Sequence, residues 1–156
     1  MNDNEKLIQK FYSAFQRKDY VTMQGLYHPQ ARFSDPVFTS LNSAEVKAMW
    51  QMLIARGKDL IIDFKNIKAD DKKGSCHWEA WYTFSRTGKQ VHNIIEASFE
   101  LRDGLIIMHK DDFNFWRWSR QALGGAGLLL GWSPLLRNKI RATAASGLQK
   151  FMQQQV

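Results

Sequence analysis

Three side chains have both the type and the neighbourhood for acid–base chemistry: Asp35, His109 and Asp111. Asp35 stands before Pro36, between Phe33 and the pair Val37-Phe38. A carboxyl among aromatics loses solvation of its charged form, which raises its pKa and suits a general base. The same Asp-Pro pair also forms Asx-type turns with no chemistry attached. His109 and Asp111 lie two apart in Leu105–Trp116, a segment with strand alternation, so both side chains point to one face. That face is the apolar one, shared with Leu105, Ile107, Phe113 and Phe115. A carboxylate there must be paired or hydrogen-bonded. An imidazole between carboxylates can move a proton at a carbon next to a carbonyl. Each residue also has a plain structural explanation: His109 as a satisfied core histidine, Asp111 as a hydrogen-bond partner for a helix or the tail.

The elements that must position these groups can be read from periodicity. Asn2 and Glu5 have capping-box spacing, and Leu7, Ile8, Phe11, Ala14 and Phe15 recur at helical intervals. Asp19 caps a shorter helix that ends at His28-Pro29, because a residue before proline avoids helical geometry. Ala31–Ser34 is a short extended piece, and Ser43 caps a third helix carrying Val46, Met49, Trp50 and Leu53, stopped by Gly57. The period then changes to two. Four strands are expected at Leu60–Ala69, Ser75–Ser85, Lys89–Leu101 and Leu105–Trp116, joined by short glycine turns as antiparallel hairpins. On the third strand Val91, Asn93, Ile95, Ala97, Phe99 and Leu101 share the covered face. The second strand leaves its inward face open between the Cys76-Trp78-Ala80-Tyr82-Phe84 set and the His77-Glu79-Trp81-Thr83 set. Helices before a strand meander give an α+β fold.

Length and composition bound the possibilities. A chain of 156 residues with 44% hydrophobic and 24% charged side chains is one globular unit. The longest apolar stretch, Ala122–Trp132, is shorter than a membrane span, and no secretory leader is visible. The single cysteine, Cys76, excludes an internal disulfide and points to a reducing, cytoplasmic setting. No metal cluster, phosphate loop or nucleotide fingerprint occurs, so no cofactor is expected. The net charge of +7 is unevenly placed. All fifteen acids lie at or before Asp112, whereas residues 117–156 carry six basic side chains and no acid. This divides the chain into a core domain, residues 1–116, and a basic helical extension, residues 117–156. Gly124–Gly131 is an apolar glycine-rich bend, and Ser133-Pro134 opens a last helix with Leu136, Ile140, Ala144, Leu148 and Phe151 on one stripe. The extension either docks on its own domain or dimer partner, which is favoured, or lies on an anionic membrane surface. No nucleic-acid module accompanies the charge, so nucleic acid is not expected as a partner.

The order of elements resembles a known family. Two helices, the run Leu26-Tyr27-His28-Pro29-Gln30-Ala31-Arg32-Phe33-Ser34-Asp35-Pro36, a third helix and four hairpin strands are similar to the SnoaL-like branch of the nuclear-transport-factor-2-like superfamily, over roughly residues 5–116. That superfamily includes ketosteroid isomerase and limonene epoxide hydrolase. The resemblance implies a cone in which a curved antiparallel sheet of four to six strands wraps three helices around a deep apolar pocket, usually as a homodimer. It implies that Asp35 takes the place of the isomerases' proton-shuttling aspartate. It also implies that Asp111, in Lys110-Asp111-Asp112-Phe113, resembles the pocket acid of the epoxide hydrolases and SnoaL-type cyclases. Phe11, Phe15, Phe33, Trp50 and Phe113 are then expected as apolar walls. The match departs where Phe11 replaces the isomerases' tyrosine, where Ala97 replaces their inward acid, and where Trp78-Glu79-Ala80 replaces the epoxide hydrolases' Arg-x-Asp. The expectation is an acid–base isomerase or cyclase for a small apolar carbonyl compound, or alternatively a non-catalytic binding or dimerisation module. A dimer would pair through the convex sheet face, by way of Trp81 or its neighbours Trp78 and Tyr82.

Overall fold

Helix α1 (Asp3–Gln16) starts where its capping box predicts. The Asn2 side chain accepts the Glu5 N–H at 2.8 Å and Glu5 accepts the Asn2 N–H at 3.0 Å, which satisfies two otherwise unpaired donors. Its stripe of Leu7, Ile8, Phe11, Tyr12, Ala14 and Phe15 is buried. The structure is a computed structural model and describes residues 1–125 and 133–155. Helix α2 (Tyr20–Gly25) is capped by Asp19, which accepts the Thr22 N–H at 3.1 Å. Helix α3 (Ser43–Arg56) is capped one residue earlier than expected, by Asn42 rather than Ser43. Glu45 stands three residues after Asn42, so the reciprocal pair closes there. The Ser43 hydroxyl instead donates to the His28 carbonyl.

The six strands are β1 (Tyr27–Ser34), β2 (Leu41–Asn42), β3 (Ile61–Ala69), β4 (Lys73–Phe84), β5 (Lys89–Arg102) and β6 (Leu105–Asp112). They form one open sheet in the order β2-β1-β6-β5-β4-β3. The hairpins β3–β4, β4–β5 and β5–β6 are antiparallel, and Asp103-Gly104, both at positive φ, make the tight turn between the last two. The β1–β6 pair is parallel, so the sheet is mixed. Its two strands are joined through α3 and the meander, a connection long enough to return the chain in the same direction. Bulges bend the sheet. On β3 the register slips between Lys65 and Lys68, with Asn66 at φ 59°. On β6, Leu101 faces Ile106 while Glu100 faces Met108, leaving Ile107 as the extra residue. The inward position therefore belongs to Ile106, not Ile107, and the expected face resumes at His109 and Asp111. On β4 the inward set is Cys76, Trp78 and Ala80.

The last strand ends at Asp112, short of the expected Trp116. Asn114 accepts the Arg117 N–H at 3.0 Å and starts helix α4 (Phe115–Leu123). Phe115, Trp118 and Ala122 of this helix pack on Val91 in a second small cluster, burial that an extended continuation would forgo. Helix α5 (Pro134–Gln154) has Pro134 in its first turn and Ser133 at its cap position, without a side-chain cap bond. Its Leu148 and Phe151 join the main core, Gln149 donates to Glu45 at 3.2 Å, and Arg141 Nε donates to the Pro36 carbonyl at 2.9 Å. Residues 126–132, which hold most of the glycine-rich bend and Trp132, lie outside the described residues. No described helix is long and apolar enough to cross a membrane.

Candidate functional site

Asp35 sits where β1 ends and the chain turns toward β2. Its Oδ1 accepts the backbone N–H of Val37 at 2.7 Å and of Phe38 at 2.6 Å, while its own N–H donates to the Phe38 carbonyl. The Asx-type turn and a chemical role therefore do not compete, because Oδ2 has no protein partner among the described residues. Burial pushes the Asp35 carboxyl up to about 7, against the lowering pull of the Phe38 N–H. The charge of Asp111 adds to the rise, and the Val37 N–H and Arg141 oppose it.

His109 is wholly buried and both ring nitrogens are engaged. Nδ1 lies 2.8 Å from the Tyr27 hydroxyl and Nε2 lies 3.0 Å from Asp111 Oδ1. The Trp50 indole N–H donates to the same Tyr27 oxygen at 2.8 Å, and the Trp78 indole N–H donates to Asp111 Oδ1 at 3.3 Å. An indole can only donate, so the Tyr27 oxygen accepts from Trp50; the Asp111 carboxylate can only accept, so Nε2 of the imidazole donates to it, and in the neutral ring Nδ1 is left to accept the Tyr27 proton. Burial holds the Tyr27 phenol well above its ordinary pKa, so that proton stays in place. His109 is then the tautomer with hydrogen on Nε2, and it donates to Asp111. Asp111 is held by two donors, which is what a carboxylate on an apolar face requires.

A cavity of about 380 Å³ opens between this layer and the tail. Its sheet wall includes Trp78, Tyr82, Asn93, Ile95 and Asp111. Its helical wall includes Phe15, Met49 and Trp50, and α4 and α5 supply Trp118, Ile140 and Ala144. Asp35 and Phe113 also line it. Two further polar groups face this space. Asn93 is 8% exposed, and its amide has no hydrogen-bond partner among the described residues. The Tyr82 hydroxyl accepts the Trp118 indole N–H at 2.7 Å, and burial pushes its phenol up to about 12, so its own proton is available for donation. Two carboxyls, an amide and a phenol around an apolar void can accept a proton at one point and hydrogen-bond a developing oxyanion at another. Among the described residues no cluster of His, Cys, Asp or Glu could hold a metal ion.

The structure brings Asp35, Asp111, Phe15, Trp50 and Phe113 to one cavity. Three other candidates lie elsewhere. His109 stands behind Asp111 and does not line the void. Phe11 and Phe33 pack edge-on against the His109 ring, at 5.7 and 5.0 Å, and form core rather than cavity wall. Strand pleat and helix stripe predict that such residues face inward, but how deeply each ring sits depends on where α1 and α3 dock. Asn93 and Tyr82 are not among the residues that the sequence singles out for chemistry, although a polar side chain on the covered face of a strand is a usable signal for Asn93.

Comparisons with known proteins agree with this architecture. A family model for the SnoaL-like domain matches residues 8–109. Among solved structures, IdmH from Streptomyces antibioticus, a proposed polyketide cyclase, is 20% identical with a TM-score of 0.63, covering 74% of this chain and 95% of that one. An LEH-like epoxide hydrolase from M. tuberculosis is 16% identical with a TM-score of 0.63, covering 82% and 95%. An NTF2-like protein of unknown function from Burkholderia pseudomallei is 15% identical with a TM-score of 0.64, covering 73% and 92%. At these identities the likeness is one of fold. No curated protein matches the chain in sequence.

Proposed function

The chain belongs to the SnoaL-like domain family, and from that premise we propose that it is an acid–base enzyme of the isomerase or cyclase type, acting on a small, largely apolar carbonyl compound. The observation that carries this reading is the convergence of Asp35, Asp111, Asn93 and Tyr82 on one mostly apolar cavity. In the proposed step Asp35 Oδ2 takes a proton from the carbon beside the carbonyl. The C–H electron pair becomes the enolate, whose oxygen is hydrogen-bonded by the Asn93 amide and the Tyr82 hydroxyl. The enolate then takes the proton back at another carbon, or attacks a second carbonyl carbon, whose oxygen receives it. Asp111 takes the His109 and Trp78 donors on Oδ1, and its charge raises the basicity of Asp35, so the part assigned to it is to tune that base and to orient the ligand.

A second reading has its own support. His109 meets Tyr27 and Asp111 and leaves no nitrogen for a ligand, as expected if the polar layer serves only to organise a binding pocket. Proton exchange decides between them. Phenylacetone incubated with the protein in heavy water should lose its α-proton signals in NMR faster than in buffer, with a rate that rises as Asp35 ionises near pH 7. Asp35→Asn should lower that rate by ~100-fold. An exchange rate equal to buffer across several ketones would leave the binding-module reading.

A further inference from the structure

A groove of about 490 Å³ adjoins the cavity and shares Asp35, Asp111 and Phe113 with it. Helix α5 forms one side and presents Arg137 and Arg141, one turn apart, to the groove. Arg141 is anchored through its Nε–H to the Pro36 carbonyl. Arg137 has no such anchor among the described residues. Its guanidinium lies 5.1 Å from the centre of the Phe115 ring, and its Nε is buried with no hydrogen-bond partner among those residues. Among the described residues neither arginine forms an ion pair.

Each of the groove's own carboxylates already has a partner on one oxygen, and among the described residues none is within ion-pair distance of Arg137 or Arg141. Asp35 holds the turn through Oδ1, Asp111 accepts from His109 and Trp78, and Asp112 lies 3.9 Å from Lys110. A buried N–H on a cation is costly to leave unpaired, so an acceptor entering the groove gains at this position. A guanidinium fork fits a carboxylate in two parallel hydrogen bonds, and stacking on an aromatic ring fixes its plane. The three cations Lys110, Arg137 and Arg141 match the three carboxylates in number, so an arriving anion meets no net like charge.

We propose that the cavity's ligand is an apolar acid whose carboxylate is taken by Arg137, with Arg141 beside it, while its apolar body lies in the cavity. This rests on the reading of the cavity as the ligand site, but not on turnover. The carboxylate then sits next to Asp35 and sets which carbon of the ligand faces its Oδ2, which makes Arg137 a specificity-determining residue.

Naphthoate, its methyl ester and inorganic phosphate are suitable probes for calorimetry on the full chain. Naphthoate should bind at least ~10-fold more tightly than the ester, weaken as salt is raised, and weaken by a similar factor in Arg137→Gln but less in Arg137→Lys. The ester should be indifferent to salt and to both substitutions. Equal affinity for acid and ester, or phosphate binding as tightly as naphthoate, would overturn the proposal. Should Arg137→Gln fail to fold, the comparison of acid, ester and salt response on the unaltered protein still decides. Naphthoate binding with no acceleration of phenylacetone exchange would uphold this inference and count against the catalytic reading. Exchange with no preference for the acid would do the reverse.

Discussion

The Oδ1 atom of Asp35 accepts two backbone N–H groups, so the turn survives a change to Asn but not to Ala. With a folded pKa of about 7 against an ordinary 3.8, the carboxyl favours the protonated form in the folded state. The stability this contributes is complete below the ordinary value and is lost as pH rises through about 7. Asp35→Asn should therefore match the native chain in acid and exceed it by about 1–2 kcal/mol near pH 8, as read from urea midpoints. The figure is smaller than full linkage would give, because the carboxyl borders an open cavity. Asp35→Ala should be less stable at both pH values. Tyr27 tests the polar layer in the other direction. Removing its hydroxyl leaves the Trp50 indole N–H and His109 Nδ1 buried and unpaired. Tyr27→Phe should cost about 2–4 kcal/mol in denaturant unfolding, and a loss under about 1 kcal/mol would mean that water replaces the hydroxyl.

At the scale of elements, the β6 bulge and helix α5 do most to shape the site. The extra residue Ile107 lets Ile106 enter the core while His109 and Asp111 still point inward, and pairing with β5 resumes on both sides of the bulge. Helix α5 closes the open side of the cavity with Ile140 and Ala144, and it is held by Leu148 and Phe151 against the core. Leu148 is essentially inaccessible, so Leu148→Ala should destabilise by about 2–4 kcal/mol. The same change should speed proteolysis near the C-terminus before global unfolding, measurable as early cleavage in α5. Cleavage that tracks global unfolding alone would mean that α5 is not a separable cover.

For the whole molecule, the open question is what meets the outer sheet face. Ile61 (64% exposed), Trp81 (36%) and Ile94 (39%) stand together there, since Ile61 pairs with Trp81 and Ile94 with the adjacent Glu79. The Trp81 ring stacks on His92 at 4.5 Å, and Glu79 links His92 to His77, which also meets Glu96. A preordered, partly apolar sheet face suits self-pairing. We expect light scattering at tens of micromolar to give twice the 18.1 kDa chain mass, and Trp81→Glu to give the monomer. A monomeric native chain at that concentration would end this expectation.

Local rules carried the elements a long way. Asn2 and Glu5, Asp19, and the Asp103-Gly104 turn each act within a few residues, so the helices and hairpins were legible from spacing alone. The inward set on β5 and the pairing of His109 with Asp111 on one face followed from the two-residue period. Legibility failed where distant packing decided the outcome. Phe115 leaves the strand pattern because helix α4 can bury it on Val91 together with Trp118, and Ile107 turns out because β5 and β6 differ by one residue. Asp111 lines the cavity and His109, two residues away, does not, because Tyr27 and Trp50 claim the imidazole from elements 82 and 59 residues earlier in the chain. Alternation assigns a face. Which layer behind that face a side chain occupies depends on the helices that dock there, and only the tertiary structure contains that depth.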